Sequence, residues 1–149
     1  MKILNDISDF YHGQELLNYH SRQKKLSEGD QFLTFKPVNS TTVDDLMNQI
    51  SDLLVQFPVS CIGVIEAERS VFQNKIQDYR DMFIPESFFH CHMIAKNTPE
   101  ILSLQSFWID LNEGLRQSFH RKEVNNLPGL VCYLSKQINS NPTVTLFIN

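Results

Sequence analysis

The chain has 149 residues, with 13 Lys and Arg against 17 Asp and Glu, for a formal net charge of −4 at pH 7. Leu, Ile, Val and Phe together number 48, enough for one hydrophobic core of ordinary domain size and well above the level at which chains stay disordered. The acidic balance disfavours general affinity for nucleic-acid phosphates, and no apolar run reaches the ~18–20 residues that span a bilayer. The expectation is one globular domain over 1–149, cytoplasmic and not in a membrane.

In chain order, Met1-Lys2-Ile3-Leu4 is interrupted by Asn5, Asp6 and Asp9, so no signal-peptide apolar region forms. Residues 4–26 carry a loose helical spacing that starts from Ile3 and runs through Ile7, Phe10, Tyr11 and Leu17. It is broken by Gly13 and stopped by Ser27-Glu28-Gly29-Asp30. Residues 31–36 read as a short strand ended by Pro37. Thr41 with Asp44 fits a capping box ahead of an apolar stripe of Val43, Leu46, Met47, Ile50, Leu54 and Phe57. Residues 59–65 are almost continuously apolar, as a central strand covered on both faces should be.

Helical spacing returns from Ala67 to Phe83 through Phe72, Ile76 and Tyr79, and Pro85-Glu86 separates it from a strand over Phe88 to Ala95. Thr98 as N-cap, Pro99 and Glu100 then open a helix whose stripe is Ile101, Leu104, Trp108, Leu111, Leu115 and Phe119. Residues 128–139 fit either a helix through Leu127, Leu130, Val131, Leu134 and Ile138 or a hairpin strand at 130–135. Thr143 to Ile148 alternates like a half-buried strand. Helices alternating with strands predict an α/β or α+β fold, a mixed sheet of about four strands with some parallel pairing, flanked by helices.

Cys61, Cys91 and Cys132 are an odd, widely spaced set inside apolar runs, which points to a reducing compartment and buried packing rather than disulfides. No phosphate loop, GxGxxG, GxSxG or CxxC occurs, and the five glycines are never closely paired, so common nucleotide chemistry is disfavoured. The densest reactive cluster is Phe88-Phe89-His90-Cys91-His92-Met93. On a strand, His90 and His92 share one face about 7 Å apart and Cys91 takes the other. Two such imidazoles can share Zn or Fe if the fold adds a ligand from His12, His20, His120 or a carboxylate. The structural alternative places both histidines on the less buried face, bonded to neighbours or water.

From Pro37 to Glu68 there is no Lys or Arg, while Asp44, Asp45, Asp52, Glu66 and Glu68 concentrate negative charge that could meet a basic partner. The basic groups Arg22, Lys24, Lys25 and Arg116, His120, Arg121, Lys122 fall at predicted helix ends, where they complement the dipole. A local nucleic-acid site at 116–122 is disfavoured by the overall charge. Trp108 belongs to the core stripe, and Tyr11, His12 and Tyr19 are candidate interface residues.

Two function classes follow, with a third that the sequence does not mark. The favoured expectation is a non-enzymatic protein-binding domain, an acidic inhibitor that neutralises a basic enzyme. In size and charge alone it is similar to immunity proteins and antitoxins, with no shared motif. The alternative is a small metal-dependent enzyme using His90 and His92 with Zn or Fe. The third is a subunit of a larger assembly. The sequence leaves partner identity and oligomeric state open.

Overall fold

The computed structural model describes residues 1–4, 7, 9–39, 41–67, 89–136 and 145–149. Their elements run β1 (Lys2–Leu4), α1 (Phe10–Gln23), β2 (Gln31–Phe35), α2 (Val43–Gln56), β3 (Cys61–Ala67), β4 (Phe89–Ala95), α3 (Glu100–Leu111), β5 (Phe119–Glu123), α4 (Leu127–Ser135) and β6 (Thr145–Ile148). The helix expected from Ala67 to Phe83 and the break at Pro85-Glu86 lie, apart from Ala67, outside the described residues, as does Glu68.

The α+β class holds, with two differences in the sheet. It has six strands, ordered β1-β6-β3-β4-β2-β5, and every neighbouring pair is antiparallel. The expected parallel pairing is absent among these strands for a topological reason. Each described helix does link two strands that run the same way, as a crossover helix must. In every case at least one antiparallel strand is inserted between them: β4 separates β2 from β3, and β2 separates β4 from β5.

Strand alternation divides the core into two. On one face Leu33, Phe35, Cys61, Ile65, Cys91 and Met93 meet Leu46, Ile50 and Leu54 of α2 and Ile101, Leu104 and Trp108 of α3. On the other, Ile62, Val64, Ile94 and Leu146 meet Leu17 of α1 and Val131 and Leu134 of α4. Trp108 is the buried stripe residue expected, its Nε1 donating to the Ser118 carbonyl at 2.9 Å and its ring edge-on to Phe35. Among the described residues no helix is long and apolar enough to cross a membrane.

Local chemistry moves several boundaries. The α2 cap is Thr42, whose Oγ1 accepts from Asp45 N at 3.0 Å, one residue later than the box at Thr41. Thr98 does not cap α3; its Oγ1 is buried without a hydrogen-bond partner among the described residues. The α3 stripe does not continue to Phe119. Glu113 and Gly114 enter the left-handed region at φ 62° and 70°, and the Gly114 N–H closes the helix on the Ile109 carbonyl at 2.9 Å. The chain then makes one 3-10 turn and enters β5, so His120, Arg121 and Lys122 stand exposed on an edge strand rather than a helix end. Charges there deter a further strand from adding. Residues 127–135 are helical, with Asn126 Oδ1 accepting from Gly129 N as cap.

Gly63 lies mid-strand, opposite Met93 on one side and Phe147 on the other. A Cβ there would stand 2.3 Å from the Phe147 ring and 2.9 Å from the His92 carbonyl oxygen. Phe147 is fully buried, so the ring cannot swing into solvent. Gly63→Ala is expected to lower unfolding free energy by about 1–3 kcal/mol, as overpacking does; a urea midpoint equal to the wild type would refute this close approach.

Candidate metal centre

The site is built on β3 and β4, the two central strands, on the face covered by α1 and α4. In the antiparallel register Glu66 lies directly opposite His90, while His92 lies one same-face step along and opposite Thr34 of β2. Residues opposite or diagonal on one face are within side-chain reach. Glu66, His90 and His92 are 1%, 7% and 6% exposed. The two histidines do share one face, with Cys91 on the other as expected, but that face is buried rather than the wetter one.

The three side chains converge. Glu66 Oε1 is 3.2 Å from His90 Nε2 and 3.4 Å from His92 Nε2. One ligand atom from each of the three residues lies within 4.8 Å of the others. The imidazole rings meet at 71° with centroids 4.5 Å apart. His92 Nδ1 is 2.9 Å from Thr34 Oγ1 and its ring stacks on Phe32 at 5.3 Å. From the end of α4, Lys136 Nζ reaches Glu66 Oε1 at 2.8 Å while resting 3.5 Å above the Tyr133 ring centroid. Three groups therefore press on one carboxylate oxygen, while Glu66 Oε2 and His90 Nδ1 are buried with no hydrogen-bond partner among the described residues.

Electrostatics follow from this arrangement. Burial by itself raises the Glu66 pKa, but hydrogen bonds from His90, His92 and Lys136 outweigh it and hold the carboxyl at about 2. Burial lowers the His92 pKa despite the nearby carboxylate, so its imidazole stays neutral. Burial also pushes the Cys61 thiol up to about 12 and Cys91 well above the ordinary thiol range, leaving both as inert core atoms. Cys132, by contrast, is exposed on α4 rather than buried as its apolar run suggests.

The other sequence candidates do not join this cluster. Asp44, Asp45 and Asp52 are exposed on α2, which packs on the opposite face of the sheet from Glu66. The acidic stretch is thus not one surface: Glu66 has left it for the interior, and Glu68 lies outside the described residues. Tyr11 and Tyr19 are exposed on α1. Sequence reading missed Thr34, Tyr133 and Lys136, which only strand register and the docking of α4 bring to the histidines. Beside the centre is a cleft of about 380 Å³ whose lining includes Phe32, Leu130 and Tyr133; Phe32 and Tyr133 are also ring neighbours of His92.

The pKa shifts set a pH dependence for the metal-free protein. Both groups have folded values below their ordinary ones, 4.5 for Glu66 and 6.5 for His92, so the unfolded chain binds more protons and stability falls with acidification. The His92 contribution is complete above pH 6.5 and is lost as pH falls through its folded value. The Glu66 contribution, about 3 kcal/mol by the free energy per pKa unit, is complete above pH 4.5 and is lost toward pH 2. Denaturation across this range should show two acid stages, with the lower one missing in Glu66→Gln; a flat profile between pH 7 and 3 would contradict the assignment. The chain matches no protein-family model, no curated protein and no solved structure.

Proposed function

We propose that the protein is a divalent-metal protein with a catalytic type of centre, in which Glu66, His90 and His92 bind Zn or Fe(II). The observation that carries this reading is the convergence of two imidazoles and a carboxylate within 4.8 Å in a buried setting. Ligand atoms about 2.0–2.1 Å from a tetrahedral zinc stand about 3.3 Å apart. The two Glu66–histidine separations, 3.2 and 3.4 Å, which are hydrogen-bond contacts in the metal-free protein, are close to that edge, and the full set lies within 4.8 Å. Two histidines and one carboxylate leave coordination positions for water or substrate, the pattern of reactive rather than structural centres.

The chain's own groups suit a metal in three ways. Glu66 is ionised and His92 neutral at physiological pH, so neither has to lose a charge-compensating proton to the solvent before it ligates. Thr34 Oγ1 can donate to His92 Nδ1 or accept from it, so it supports the tautomer that frees Nε2 for a metal. Lys136, with a side chain 27% exposed, can give up Glu66 and keep its contact with the Tyr133 ring. Recognition of a basic protein by Asp44, Asp45 and Asp52 is a separate proposal that rests on their exposure. Asp44 and Asp45 already have a local role in the first turn of α2, at the positive end of its dipole, so the geometry favours the metal reading.

Protein purified without chelators should carry one zinc or iron per chain by elemental mass spectrometry, and apo protein should take up either ion stoichiometrically by calorimetry. His90→Ala and Glu66→Gln should abolish that uptake with the fold intact by circular dichroism. Thr34→Val, which spares every ligand, should weaken it about 10–100-fold, as loss of a partner behind a ligating imidazole does. Absence of stoichiometric uptake in the wild type would overturn the proposal.

A further inference from the structure

We infer that the ligand of this centre is a small molecule with an apolar body and one carboxylate, the carboxylate bridging the metal and Lys136 and the body lying in the cleft beside Tyr133. This rests on the metal reading and adds to it the class of molecule bound. The first argument is charge. The carboxylate of Glu66 offsets only part of a divalent ion when the two imidazoles are neutral, and the Lys136 ammonium adds to the remainder. Such a surplus in a buried setting calls for an anion.

The second argument is the number of donors. A metal position and one ammonium make a two-point clamp, which fits the two oxygens of a carboxylate. A phosphate would present a third oxygen, and among the described residues Lys136 is the only lysine or arginine paired with Glu66, Lys122 belonging to the cleft lining instead. The third argument is continuity. Phe32 and Tyr133 border both His92 and the cleft, and Leu130 adds an aliphatic wall, while Lys122, Glu123, Asn125 and Asn126 form its polar lining; the volume of about 380 Å³ is within the range of small-molecule sites. Lys136 rests on the Tyr133 ring, which also lines the cleft, so a molecule held by its head at Lys136 can reach Tyr133, Phe32 and Leu130 with its apolar body.

The test uses the full chain loaded with Co(II), whose visible absorption reports changes in coordination. Phenylacetate should perturb the cobalt bands saturably and bind more tightly than acetate, while phenylacetamide, the neutral isostere, should not perturb them. Lys136→Met should keep cobalt and weaken phenylacetate at least about tenfold, the loss expected for a charge-assisted hydrogen bond. Leu130→Asn should reduce the preference for phenylacetate over acetate and leave acetate binding unchanged. Cobalt bound in the wild type but indifferent to phenylacetate, or responding equally to its amide, would overturn the inference and leave the metal reading standing. Tighter binding of phenyl phosphate would overturn the carboxylate class. A chain that takes up no cobalt would overturn the metal reading itself, and this inference with it.

Discussion

A carboxylate buried in the middle of a sheet is the constraint around which this site is arranged. Glu66 is 1% exposed on a central strand, where an ionised group without partners would cost several kcal/mol. Three donors answer it, two from the neighbouring strand and one from the end of α4. All three converge on the same oxygen, and the second oxygen is left without a partner among the described residues. The second oxygen is the part of the carboxylate that a further donor, or the cation proposed above, would serve.

The sheet separates stability from chemistry by strand alternation. On β4, Cys91, Met93 and Ala95 point into the apolar layer beneath α2 and α3, while His90 and His92 point the other way. On β3, Cys61 and Ile65 share the first layer, and Glu66 lies with Ile62 and Val64 on the second. The two strands thus anchor the core with one set of side chains and hold the polar cluster with the other. Gly63 links the two roles, since the Phe147 ring presses on its position from the core side and the His92 carbonyl lies beside it.

Elements whose apolar pattern is set by burial were legible in the sequence. The α2 stripe, the continuous apolar run of β3 and the alternation of His90 and His92 on β4 all appear where periodicity puts them. Edge elements were not. β1 has three residues, and β5 reads Phe-His-Arg-Lys-Glu, whose single buried position extends the α3 stripe by coincidence of spacing. The parallel pairing expected within a mixed sheet is absent among the described strands because intervening strands enter between the ends of each crossover, a fact no local pattern contains. By charge along the chain, Glu66 groups with Asp44, Asp45 and Asp52. Its place opposite His90, 24 residues later, depends on strand register.

The energetics of burial bear on whether the cluster is a site or a fixture. Replacing a buried ionic network with apolar side chains of similar volume is often neutral or stabilising. The surroundings here would accept such a replacement, since Val64, Ile94 and Val131 already line the same layer. Two imidazoles, a carboxylate and an ammonium at that position therefore add little that an apolar layer would not supply. What they do supply is specific. Thr34 hydroxyl can serve either His92 tautomer, Lys136 has a second contact on Tyr133, and Glu66 keeps a spare oxygen. The first two leave His92 and Lys136 with a partner if a metal takes their place at Glu66, and the third leaves the carboxylate an oxygen still to be served. That tolerance is what ligand exchange at the proposed metal centre would need.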